Sequence, residues 1–135
     1  MRTGTGAEGL VAAELAALGW EILARNVRVG RSELDLVAVD PGPPRTLVVV
    51  EVRANRGPAF GRPEESIDWR KLRALYRGAL TLRAAGLVSS IESGSGMVRL
   101  PHLPLRLDVV SVELGPTLAE GIGGPTLRHL RGVIA

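Results

Sequence analysis

Cysteine is absent from the 135 residues. No disulfide framework and no thiolate zinc site can be built, so any metal would have to be held by oxygen ligands or by the two histidines. His102 and His129 stand alone, without metal-ligand spacing, and read as incidental. Lysine is almost absent too: Lys71 is the one lysine among 17 basic residues, the rest being arginine. Aromatic residues make up 3% (Trp20, Phe60, Trp69, Tyr76), too few for a binder that stacks successive bases on rings. Uncharged apolar runs are as short as Leu47–Val50, far below a bilayer span, and Glu8 and Glu14 interrupt any secretory-signal pattern. A soluble, cytoplasmic protein is expected. Glycine-rich phosphate loops and GxSxG elbows are also missing. The net charge of +3 permits contact with phosphates but equally suits an ordinary solubilising surface.

What is present fits one domain over residues 1–135. Gly6–Leu18 carries Val11, Leu15 and Leu18 at helical spacing and stops at Gly19, predicting a first helix. Trp20–Arg28 predicts a strand that turns at Gly30, and the alternating SELDLVAV of residues 32–39 predicts a second. After the proline-rich turn at 41–45, Thr46–Arg53 predicts a third strand, paired with the second as an antiparallel hairpin. A loop is expected at Gly57–Pro63, a long amphipathic helix over Glu64–Ala85, a turn region at Ser89–Gly96 and a strand over Leu105–Leu114. Gly115–Gly124 reads as irregular, and the tail from Pro125 is left as strand or helix. The order predicts an α/β fold, a central mixed β-sheet flanked by helices.

The chemistry gathers on the second and third strands. Residues two apart on a strand share a face, so Glu33 goes with Asp35 and Glu51 with Arg53. With Val39 set opposite Leu47, antiparallel pairing puts Asp35 across from Glu51 and Glu33 across from Arg53. Glu33 and Arg53 then make an ordinary ion pair. Two facing carboxylates at partly buried positions repel, and must protonate, find an arginine such as Arg53 or Arg106, or hold a cation. A divalent cation is the reading favoured here. Glu8 falls on the apolar stripe of the first helix, either as a member of the same site or as an acid favoured by the helix dipole. Lys71 lies beside the stripe of Leu72, Leu75, Tyr76 and Ala79, with Arg70, Arg73 and Arg77 on the solvated face.

Taken together, Glu8 within GAEG, Asn26, Ser32–Asp35 (SELD), Glu51–Arg53 (EVR), Lys71 and Arg106–Val110 (RLDVV) resemble the YraN-like family of small bacterial proteins. That family is predicted to consist of endonucleases with the PD-(D/E)XK, restriction-endonuclease-like fold, a superfamily that also holds archaeal Holliday-junction resolvases. The resemblance runs from about Gly6 to Val110. It implies Mg²⁺- or Mn²⁺-dependent hydrolysis of DNA phosphodiesters, on branched or flapped substrates, by a homodimer. Asp35 and Glu51 would hold the metal, with Glu8, Arg53 and Lys71 completing the catalytic set and Glu33, Asn26 and Arg106 in support. Two positions depart from the family pattern: Ser32 replaces its glycine and Arg53 its motif lysine. Arginine stays charged at any working pH and cannot act as a base, though its planar fork can clamp a phosphate. A module that binds nucleic acid or serves assembly, with the fold kept and cleavage lost, is the alternative expectation.

Overall fold

The computed structural model describes residues 5–55, 67–89, 96–113 and 126–134. A first helix, α1 (Thr5–Ala17), leads into three strands, β1 (Glu21–Val29), β2 (Ser32–Asp40) and β3 (Thr46–Asn55). A second helix, α2 (Trp69–Ala85), and a small hairpin of β4 (Leu87–Ser89) and β5 (Met97–Arg99) follow. The described chain closes with β6 (Leu105–Glu113) and β7 (Thr126–Ile134). The main sheet has the order β1-β2-β3-β6-β7, antiparallel throughout except for the parallel pair β3 and β6. A parallel pair needs a long crossover, and α2 lies within that connection.

Strand composition explains the layering. Leu47, Val48, Val49 and Val50 are all at most 2% exposed, because β3 is covered on both faces. On one face Leu47, Val49, Val37, Val39, Leu107 and Val109 pack under Leu72, Leu75 and Ala79 of α2. On the other, Val48, Val50, Leu36, Ala38, Val110 and Val112 pack under Val11 and Leu15 of α1. Each fully buried valine or leucine contributes roughly 1.5–3 kcal/mol, so these four residues of β3 hold the strand firmly enough to carry a charged continuation.

Alternation slips at one place that matters. Leu34 and Leu36 are two apart yet belong to opposite faces, while Ala24 and Val27, three apart, share one. The slip coincides with Asn26, whose φ of 55° lies in the left-handed region that asparagine tolerates better than most residues. Asn26 is buried between the pairs Arg25–Leu36 and Val27–Leu34, so it lies across the strands from Asp35.

Several expectations need correction. Ile67 and Asp68 are not helical: Asp68 is the N-cap of α2, its side chain accepting from the Lys71 N–H at 3.2 Å, so a helix running on from Glu64 is ruled out. Gly86, with φ 79°, closes that helix as a left-handed C-cap. Leu18 does not share the buried stripe of α1, because the helix ends at Ala17 and Leu18 is 63% exposed. The β4–β5 hairpin was not expected, and the undecided tail forms β7. The expected loop at Gly57–Pro63 and the glycine-rich stretch at 115–124 lie outside the described residues.

Candidate active site

The register assumed from sequence is the observed one, with Val39 opposite Leu47 and pairing running on to Leu36 opposite Val50. There the ladder stops. The next acceptor for β3 is the Asp35 side chain, whose Oδ2 takes a hydrogen bond from the Val52 N–H at 2.8 Å. The carboxylate thus replaces a main-chain carbonyl where the two strands part, which pins Asp35 beside Glu51.

Glu51 is 5% exposed, and the Asp35 carboxyl is hydrogen-bonded to it. Burial first, then that hydrogen bond and the negative charge of Glu51, push Asp35 up from 3.8 to about 9; the Val52 N–H opposes the rise and Glu8 adds to it. Near neutral pH Asp35 therefore holds a proton. Glu8 is buried at 6% exposure and lines the same cleft, so the helix acid does project into the site.

Lys71 occupies the third position of α2, next to the positive end of the helix dipole, an unfavourable place for a cation unless an anion answers it. Glu51 is that anion: Lys71 Nζ lies 2.7 Å from Glu51 Oε2. The hydrogen bond to Glu51 raises the Lys71 pKa, outweighing burial, which acts the other way. The Lys71 side chain stays 59% exposed, so it reaches inward from the rim of the site.

Two clefts meet at this pair of residues. One, of about 390 Å³, is lined by Glu8, Arg31, Glu33, Asp35, Glu51 and Lys71 among others. The second, of about 230 Å³, is lined by Glu51, Arg53, Asp68 and Lys71 with apolar walls from Ile67, Leu72 and Val109. Asp35, Glu51, Glu8, Arg53, Lys71 and Glu33 are thus brought together. The expected pairing of Glu33 with Arg53 does not arise from the sheet, because the β2–β3 ladder ends before reaching either residue. Glu33 instead stands opposite Arg28 of β1.

Arg106 lies elsewhere, a second correction. Its side chain bonds Asp108 and Asp40 at 2.8 Å each, at the far end of β2 from Asp35, so it cannot neutralise the Asp35–Glu51 pair. His129 is not incidental either, since its Nε2 lies 2.8 Å from Asp108 Oδ2. Asp108 is fully buried; burial alone would raise its pKa, but His129, Arg106 and the Gly132 N–H hold it below the usual carboxylate range. Trp20 packs against this group, with the guanidinium groups of Arg106 and Arg131 each 5.7 Å from its ring. The network joins β2, β6 and β7; Asp40, His129 and Gly132 are distant in the chain from the Arg106–Asp108 pair, which a sequence reading did not connect to them. The D of RLDVV, on an otherwise apolar strand, was the available signal.

Among the described residues, no group of three or more His, Asp or Glu side chains has metal-binding geometry. The donors on hand fit a hard cation held by one or two carboxylates, which is how Mg²⁺ is commonly bound with water and substrate phosphate filling the other positions. The Asp35 proton supports that fit, because it stands where a positive charge is needed.

Comparison with known proteins places the chain. Residues 7–112 match the model of the uncharacterised protein family UPF0102. A UPF0102 protein of Acidothermus cellulolyticus is 41% identical over 128 residues, covering 93% of this chain and 87% of that protein. A UPF0102 protein of Symbiobacterium thermophilum is 41% identical over 115 residues, covering 85% of each. A third, from Deinococcus radiodurans, is 38% identical over 110 residues, covering 82% of this chain and 79% of that one. The chain belongs to the UPF0102 family, the YraN-like group.

Proposed function

We propose that the protein is a restriction-endonuclease-like, metal-dependent nuclease that hydrolyses phosphodiester bonds of DNA. The observation that carries this reading is the buried Asp35–Glu51 carboxyl pair, short of positive charge, opening beside Lys71 and Arg53. Asp35 and Glu51 are the residues to hold Mg²⁺ or Mn²⁺, with Glu8 close enough in the cleft to assist through water. When bound, such an ion supplies Lewis acidity and lowers the pKa of a coordinated water.

The chain's own groups have separable roles. Asp35, fixed by the Val52 N–H, sets where the ion sits. Arg53 cannot take a proton, but two N–H groups of its fork suit the oxygens of a phosphate, so it stabilises charge that grows on the phosphate as the bond breaks. Lys71, reaching in from α2, supplies the ammonium that the strand position no longer carries and orients Glu51. Glu33 lines the same cleft and Asn26 sets the bend beside Asp35, both in support of the site.

The test is incubation with single-stranded, double-stranded and branched DNA in Mn²⁺, with Glu51→Ala and Lys71→Arg alongside. Cleavage by the wild type that Glu51→Ala abolishes supports the reading. Binding without cleavage on any substrate points to the non-catalytic module, and neither binding nor cleavage overturns a nucleic-acid role altogether.

A further inference from the structure

Arg31 lies on the wall of the 390 Å³ cleft, at the end away from Arg53. Its position is set by the tightest kind of hairpin: Val29 pairs with Ser32, leaving Gly30 and Arg31 as a two-residue turn. Gly30 has φ 58° at the first central position, where a type II′ turn asks for glycine. The turn is anchored below, since Val29 packs on Gly78 of α2, where an added Cβ would lie 3.1 Å from Val29 Cγ1. Arg31 is therefore an exposed cation on a stiff support.

Its charge is not taken up by the acids it sits among. Among the described residues Arg31 makes no ion pair, although Glu33, Asp35, Glu51 and Glu8 line the same cleft. Lys71, by contrast, is engaged with Glu51. An arginine fork held over an acidic cleft and left open suits an anion that arrives with the substrate.

We propose that Arg31 grips a phosphate of the bound nucleic-acid strand other than the one undergoing hydrolysis, so that the substrate runs along the cleft from Arg53 past Glu51 to the β1–β2 turn. This rests on the nuclease reading above and adds to it a requirement on substrate length. Four residues of strand separate Arg31 from Asp35, a Cα span of roughly 14 Å, so the two residues enter the cleft from different places. The substrate is thus a chain with at least one further phosphate beyond the one at the reactive centre, a contact that a small isolated phosphodiester cannot make.

The experiment measures fluorescence anisotropy of labelled single-stranded and duplex oligonucleotides in Mg²⁺ over a series of salt concentrations, for wild type, Arg31→Ala and Arg31→Lys. Hydrolysis of the oligonucleotide and of bis(p-nitrophenyl) phosphate in Mn²⁺ is followed in parallel. Arg31→Ala is expected to weaken oligonucleotide binding by roughly fivefold to tenfold and to lower the salt slope by about one, with Arg31→Lys near wild type in slope. Its KM for the oligonucleotide rises while kcat, and the rate on the small diester, stay within about twofold of wild type. If the wild type binds or cleaves and Arg31→Ala leaves affinity and salt slope unchanged, the role of Arg31 is overturned and the nuclease reading stands. A wild type that neither binds nor cleaves overturns both.

Discussion

Metal binding at Asp35 and Glu51 should release a proton, and the amount can be worked from the site. Asp35 holds its proton up to about pH 9 because it is buried against Glu51. At pH 7 a divalent cation must first displace that proton, which costs about 1.4 kcal/mol for each pH unit below 9, or roughly 2.7 kcal/mol in all. Apparent affinity for Mn²⁺ should therefore rise close to tenfold per pH unit between about pH 6 and pH 8 and level off above about 9. Calorimetric titrations at several pH values, in buffers of different ionisation enthalpy, read both the slope and the protons released. The expectation is close to one proton per ion at pH 7. Asp35→Asn should bind at least about tenfold more weakly above pH 9 and show no proton release. Wild-type binding that does not change with pH, or that persists unaltered in Asp35→Asn, would refute the argument that these two carboxyls form the ion's site.

The same proton has a consequence without metal. The folded chain keeps it up to about pH 9, whereas an unfolded aspartate gives it up near 3.8, so stability contributed here falls as pH rises through that window and levels off beyond it. In EDTA, the melting temperature of Asp35→Asn should gain on wild type steadily from pH 5 to pH 9, and parallel curves would count against the proton on Asp35. Lys71→Ala leaves Glu51 buried without its ammonium; because the lysine side chain is 59% exposed, the expected loss is only about 1 kcal/mol in chemical denaturation, with a much larger effect on cleavage. Asp108→Ala strands His129 and the Gly132 N–H and leaves Arg106 with Asp40 alone, so thermal melts should show a loss of roughly 3–5 kcal/mol, and a change under about 1 kcal/mol would remove the network from any structural role.

Periodicity carried most of the fold. The valine-rich β3 and the alternating β2 announced themselves, and the register followed from one hairpin, since Val39 against Leu47 fixes every later pair. What periodicity could not carry is where a ladder stops. The ladder of β2 and β3 ends at Leu36 and Val50, beside the face change at Asn26 in a third strand, and no local pattern around residue 35 contains either. The start of α2 was misplaced for a related reason: Glu64 and Glu65 are good helix formers, but Asp68 competes for the first-turn N–H groups and sets the boundary. Arg106, one of two arginines offered as a partner for the Asp35–Glu51 pair, instead bonds Asp108, two residues along its own strand, and Asp40, which only the parallel pairing of β3 with β6 brings near.

The parting of the strands and the chemistry at the site have one physical origin. A carboxylate inside a sheet has no stable place while every neighbouring N–H is bound to a carbonyl; when the ladder ends, the freed Val52 N–H gives Asp35 a donor and the gap gives its partner Glu51 room beside it. Two acids so placed demand a cation, and the chain offers three of different character. Lys71 is largely exposed, yet tied to Glu51; Arg53, two residues along the strand, faces the adjoining cleft; Arg31 stands at the far wall on a tight turn. Lys71 touches Glu51 directly, and as a single ammonium it answers Glu51 but leaves Asp35 protonated. The remaining deficit of charge lies between the two carboxyls, in a space bounded by a helix terminus and two strand ends. It is that uncompensated half of the pair, more than any one residue type, on which the proposal of a small doubly charged ion rests.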